Sequence, residues 1–246
     1  MELHEIIPVL EEMAPPGLAE EFDAGRIGLT LDRENDVQKI AVSLDPTEYV
    51  LSRAVDIDAD LLITHHTLIF HPLNLISKQL GDVLKIALNN QISLYSMHTN
   101  YDRASGGVND VLAQRLGLTD IVELDVGRVG SIDSCSTDVF INHVSKSLNT
   151  HLQYVGQRDT IRTVMVFSGS GFRNEFLDIA RENDVDAYVS AELKHDIIRD
   201  YSDMVLIDAT HYATENPAME VLCERLQDKL EIGVEFIDHN PLIRMV

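Results

Sequence analysis

The chain has 246 residues, 45% of them hydrophobic and 24% charged, enough to bury a real core as one large domain or two lobes. A formal net charge of −22 argues against a general nucleic-acid surface, which needs clustered Lys and Arg, and no apolar run approaches the roughly 20 residues of a membrane-spanning helix. Cys135 and Cys223 are the only cysteines and form no CxxC pair, which excludes a disulfide framework and a thiolate-held zinc.

The first predicted element is a helix over 2–13, built on Leu3, Ile6, Ile7, Leu10 and Met13 and stopped by Pro15-Pro16. The N-terminus is acidic and mixed in polarity, unlike a signal peptide, so a cytoplasmic location is expected. Acidity with few lysines fits either a salty cytosol or a merely acidic surface.

A buried strand over 39–44 and a helix over 46–55 follow, then a strand over 61–64, a helix over 75–89 with Gly81 as a weak point, and a strand over 92–97. A helix over 108–116 stops at Gly117. The middle reads as short strands over 122–124, 136–141 and 152–155 with a helix over 142–148. Alternation then resumes: strands over 163–167, 187–190, 204–207 and 234–237, helices over 173–183, 193–200 and 215–230. Strands alternating with helices predict an α/β protein with largely parallel or mixed sheets flanked by helices. Two similar lobes are expected, 1–125 and 126–246.

Four polar stretches each follow an apolar strand, where ligands gather in open α/β sheets. They carry His65-His66, His98-x-x-x-Asp102, Glu192-x-x-His195 and His211-x-x-x-Glu215. The His-x-x-x-acid pattern recurs in the two halves, so two half-sites can make a cradle for two metals. Neighbouring side chains of a straight strand point opposite ways, which suggests that His65 and His66 each reach a different ion. Imidazoles and carboxylates without thiolate suit two divalent ions of Zn, Fe, Mn or Co. His4, His143, His151 and His239 read as structural or solvent-facing, and so does His71, although five residues past His66 it could reach the site.

These segments resemble the Nif-three-like proteins, the GTP cyclohydrolase 1 type 2 homologues. The likeness rests on Thr64-His65-His66, His98-Thr99-Asn100-x-Asp102 and Asp208-Ala209-Thr210-His211-Tyr212-x-Thr214-Glu215, in order along nearly the whole chain. The early loop, Ala24 to Leu29, lacks the Asp-Asn usual before the Gly-Leu pair. The resemblance implies two α/β lobes with a dinuclear site in the cleft between them, and His65, His66, Asp102, His211 and Glu215 as ligands. It also implies a homohexamer built as a ring of trimers. His98, His195 and Glu192 are the candidate proton carriers. The expected function is a metal-dependent hydrolase acting on a purine nucleotide ring or similar electrophile. The alternative is a non-catalytic metal-binding scaffold.

Overall fold

The computed structural model describes residues 1–201 and 203–240. The chain forms two compact units, Met1–Gly107 joined by the described residues from Ala218, and Val108–Pro217.

The first unit opens with α1 (Leu3–Met13), whose Glu2/Glu5 capping box secures its first turn and whose Leu3, Ile6, Leu10 and Met13 are buried. After two short 3-10 turns come β1 (Gly28–Leu31), β2 (Lys39–Ser43), α2 (Glu48–Asp56), β3 (Leu61–Thr64), α3 (Lys78–Asn89), β4 (Ser93–Ser96) and α4 (Thr99–Arg103). The N-caps Thr47 and Ser77 accept from Val50 and Leu80 backbone N–H and set the starts of α2 and α3. Gly81 lies inside α3 without breaking it.

The second unit contains α5 (Val108–Arg115), β5 (Thr119–Glu123), β6 (Arg128–Cys135), α6 (Thr137–Ser147), β7 (Gln153–Val155), β8 (Ile161–Val166), α7 (Asn174–Glu182), β9 (Ala187–Ser190), α8 (His195–Asp200) and β10 (Val205–Asp208). Helix α9 (His211–Lys229) starts there and carries the chain back to the first unit, where β11 (Gly233–Phe236) pairs with β2. The division falls at Gly107/Val108 rather than 125/126, because β5 pairs with β6 in the second sheet and the C-terminal strand returns to the first.

The first sheet has the order β1-β4-β3-β2-β11, and the second β5-β6-β8-β9-β10-β7. Strands β2, β3 and β4 pair in parallel, as do β8, β9 and β10. Their continuous apolar runs follow from burial on both faces. In the second unit Val164, Val166, Ala187, Val189, Val205 and Ile207 pack with Leu112, Phe140, Val144 and Ala213 on one face. The alternate residues Met165, Tyr188 and Leu206 pack with Phe176, Leu177 and Ile197 on the other. Helices therefore cover both faces of this sheet.

One segment corrects the sequence reading. Residues 136–141 are not a strand but the start of α6. The run Val139-Phe140-Ile141 suits a strand in isolation. Burial of Thr137, Phe140 and Val144 on one helical face decides the outcome. Strands β1 and β6 went unrecognised, and both pair antiparallel.

Candidate metal centre

His65 and His66 lie just past the C-terminal end of β3. The backbone is no longer a straight strand there: His66 N–H donates to Leu44 O at 3.0 Å, and Thr64 Oγ1 donates to His66 O at 2.7 Å. This bend removes the premise that neighbouring side chains point apart. The two rings lie 5.1 Å apart, and with His98 they offer ligand atoms all within 4.8 Å of one another. His98 precedes α4, and one helical turn later Asp102 places Oδ1 3.7 Å from His65 Nε2. His65 is fully buried and Asp102 is buried.

In the second unit the same spacing on α9 brings His211 Nε2 to 3.0 Å from Glu215 Oε1. Gly169, in the turn after β8, passes so close that a Cβ there would lie 2.1 Å from Glu215 Oε1 and 3.1 Å from His211 Nε2. Only glycine leaves room for that carboxylate, and its φ of +62° is the left-handed conformation glycine tolerates.

The second nitrogen of each imidazole is tied to oxygen. His65 Nδ1 meets Met97 O at 2.8 Å, His66 Nδ1 meets Asp45 Oδ1 at 2.7 Å, His98 Nδ1 meets Asp23 Oδ2 at 2.9 Å, and His211 Nδ1 meets Glu192 Oε1 at 2.6 Å. Carbonyl and carboxylate oxygens only accept, so Nδ1 carries the proton and donates in all four. A neutral ring then has its lone pair on Nε2. This is how metal-binding histidines are commonly held, and the partner raises ring basicity. The donor set of imidazole and carboxylate, with the cradle at Gly169, therefore fits a divalent first-row metal.

Asp23 escaped the sequence reading. It sits just before the early loop, fully buried, and takes hydrogen bonds from His98 Nδ1, Thr99 N and Thr99 Oγ1. Burial pushes its carboxyl up, but the bonds from His98 and Thr99 outweigh that and hold its pKa below the ordinary value. A lone Asp 75 residues from its histidine leaves no spacing signal. Asp45, in Leu44-Asp45-Pro46, is likewise a partner that only the fold reveals.

Glu192 is not an isolated acid: it holds His211. Burial raises its pKa, while bonds from His211 and Ser170 lower it, and the net shift is downward. His195 is exposed at the start of α8 and makes no hydrogen bond or ion pair among the described residues. His71 is exposed beside Phe70. His143 Nε2 binds Leu116 O at 2.8 Å and His239 Nδ1 binds Thr47 Oγ1 at 2.9 Å, both structural roles.

The profile of the family described as Duf34/NIF3 (NGG1p interacting factor 3) matches residues 1–241. A GTP cyclohydrolase 1 type 2 homolog of Clostridium perfringens is 33% identical, over 96% of this chain and 95% of its own. The homolog of the same name from Methanocaldococcus jannaschii is 32% identical over 97% and 100%. Among solved structures, reduced HcgD from Methanocaldococcus jannaschii superposes with a TM-score of 0.86 at 30% identity, covering 97% of this chain and 98% of that one. A Bacillus cereus protein related to NIF3 matches in fold with a TM-score of 0.91 at 22% identity, covering 100% and 99%. With a family profile spanning nearly its whole length and relatives above 30% identity end to end, this chain belongs to the Duf34/NIF3 family.

Proposed function

We propose that this protein is a metal-dependent hydrolase of the GTP cyclohydrolase kind that binds two divalent cations. The observation that carries this reading is the set of four imidazoles, each with Nδ1 donating to a carbonyl or carboxylate oxygen. His65, His66 and Asp102 in the first unit, and His211 and Glu215 in the second, are the proposed ligands. Zn, Fe, Mn and Co all suit these donors. When bound, such a pair supplies Lewis acidity and brings the pKa of water towards neutrality.

The chain's own residues then have separate tasks. His98, its Nδ1 proton held by Asp23, takes and gives a proton at Nε2. Glu192 keeps the His211 ring in register. His195, exposed and without a tie, has no geometry that favours a proton-carrying role over solvent contact. The substrate class is a purine nucleotide, as the names of the relatives suggest for them, with the imidazole-ring carbon as electrophile.

Self-association as a homohexameric ring of trimers is part of the proposal. Leu75 and Ile76, 79% and 61% exposed, support an association surface on this chain. The same feature favours the second reading, a non-catalytic metal-binding scaffold. No helix among the described residues is long and apolar enough to cross a membrane.

Elemental analysis and GTP turnover, run together on the wild type and on Asp102→Ala, His66→Ala and Glu215→Ala, test the proposal. About two first-row ions per chain are expected, with turnover lost alongside metal in the variants. Metal-replete protein inert towards GTP, cyclic amides and phosphoesters would favour the scaffold. Full metal content in a His65, His66 double variant would defeat the site itself.

A further inference from the structure

We propose that Phe22, Phe70 and Arg26 form a recognition shelf beside His98 for a purine nucleotide, the rings taking the base and the guanidinium a phosphate. The proposal rests on the hydrolase reading for its substrate class. Phe22 and Phe70 have ring centroids 6.1 Å apart and stand 6.3 and 6.0 Å from the His98 ring. Both keep 39% of their surface exposed, a high share for large apolar rings beside a buried polar cluster.

Arg26 is the second component. Its guanidinium carbon lies 4.4 Å from the Phe70 centroid and 5.8 Å from that of Phe22. Among the described residues its guanidinium makes no hydrogen bond or ion pair. That is notable in a chain with 41 acidic residues, where Arg53, Arg103, Arg158 and Arg181 all bind carboxylates. A cation stacked on aromatic rings keeps all its donors for an incoming anion, and planar donors match phosphate.

Base stacking on aromatic side chains and on guanidinium planes is tolerant of which base is present, so the shelf supplies affinity for a heteroaromatic ring. Its placement is specific. A ring resting on Phe22 and Phe70 lies next to the imidazole of His98, whose Nδ1 is fixed by Asp23. The exposed apolar rings alone would fit a contact with a second copy of this chain. The unpaired guanidinium and the adjacency to His98 favour the nucleotide.

The test is calorimetric titration of the metal-replete full chain with GTP, guanosine and inorganic tripolyphosphate, with GTP turnover measured in parallel. Phe70→Ala and Phe22→Ala are expected to weaken GTP and guanosine roughly tenfold each and leave tripolyphosphate unchanged. Arg26→Gln should weaken GTP and tripolyphosphate about tenfold and spare guanosine. Phe70→Tyr should retain binding, which separates lost stacking from lost folding. Wild-type protein that binds neither GTP nor guanosine overturns the shelf. So do variants that bind GTP normally, including variants that instead change the sedimentation coefficient and so mark a contact between copies. Normal shelf-dependent binding without turnover would sink the hydrolase reading alone. Turnover indifferent to all three substitutions would sink the shelf alone.

Discussion

Asp23 points both carboxylate oxygens at His98 Nδ1, at 3.0 and 2.9 Å, from 75 residues away in the chain. The carboxylate is fully buried, so its hydrogen bonds replace all its hydration. Asp23→Ala should lower turnover by roughly 10–100-fold and leave metal content intact, because it frees the ring of the proton carrier His98 and touches none of the proposed ligands. It should also cost about 1–3 kcal/mol of stability, since it strands the Thr99 donors. Asp23→Asn, which keeps one acceptor, should fall between. Turnover with metal content checked by chelator competition, and urea unfolding, measure the two effects separately. Unchanged turnover in the alanine variant would remove Asp23 from the site.

Glu192 separates two roles that the sequence alone could not distinguish. As a proton carrier it would affect rate and leave metal affinity intact. As the partner of His211 Nδ1 at 2.6 Å it should affect affinity first. We expect Glu192→Gln to weaken metal binding by roughly tenfold, with metal saturation restoring most of any lost activity. Activity lost with unchanged affinity would return Glu192 to the proton-transfer role.

The repeated core of the fold was legible because buried parallel strands leave unmistakable apolar runs. The two stretches 61–64 and 187–190 coincide with β3 and β9. The repeat goes deeper than the histidines. Asp60 accepts from the backbone of Gln38 and Lys39 at the start of β2, and Asp186 accepts from Arg162 and Thr163 at the start of β8. An antiparallel strand then flanks the third parallel strand in each sheet, β1 on β4 and β7 on β10. Such long-range pairings have no local signature, which is why β1 was missed. The pairs His98/Asp102 and His211/Glu215 share a spacing of four and stood out. Asp23 and Asp45 are joined to His98 and His66 only through tertiary structure. The adjacency of His65 and His66 does not decide which ion each would reach, because the strand ends at Thr64, one residue too early for the alternation rule to apply.

Gly169 offers a test that touches no ligand. An added Cβ would meet Glu215 Oε1 at 2.1 Å, and the left-handed φ of +62° adds strain of roughly 1–2 kcal/mol for a residue with a side chain. Gly169→Ala should therefore displace Glu215 and halve or abolish metal content in a folded protein. Thermal unfolding and elemental analysis together make the reading. A variant that keeps full metal content would show that Glu215 can retreat without leaving the site.

Cys223 yields a pH dependence independent of the metals. Burial, then the nearby Glu224, Glu235 and Glu220, push its thiol pKa up to about 11 from 9.0. The folded state thus holds the proton more tightly than the unfolded chain does. The stabilisation is fully present below pH 9.0, and is lost as pH rises towards about 11. Cys223→Ala, which removes the titrating group, should show a smaller loss of stability than the wild type across that window. Native protein at pH 8 should react with a thiol reagent at the partly exposed Cys135 well before the buried Cys223, the difference vanishing on unfolding. Equal labelling of the two thiols in the native state would show that the helix carrying Cys223 opens far more readily than its burial implies.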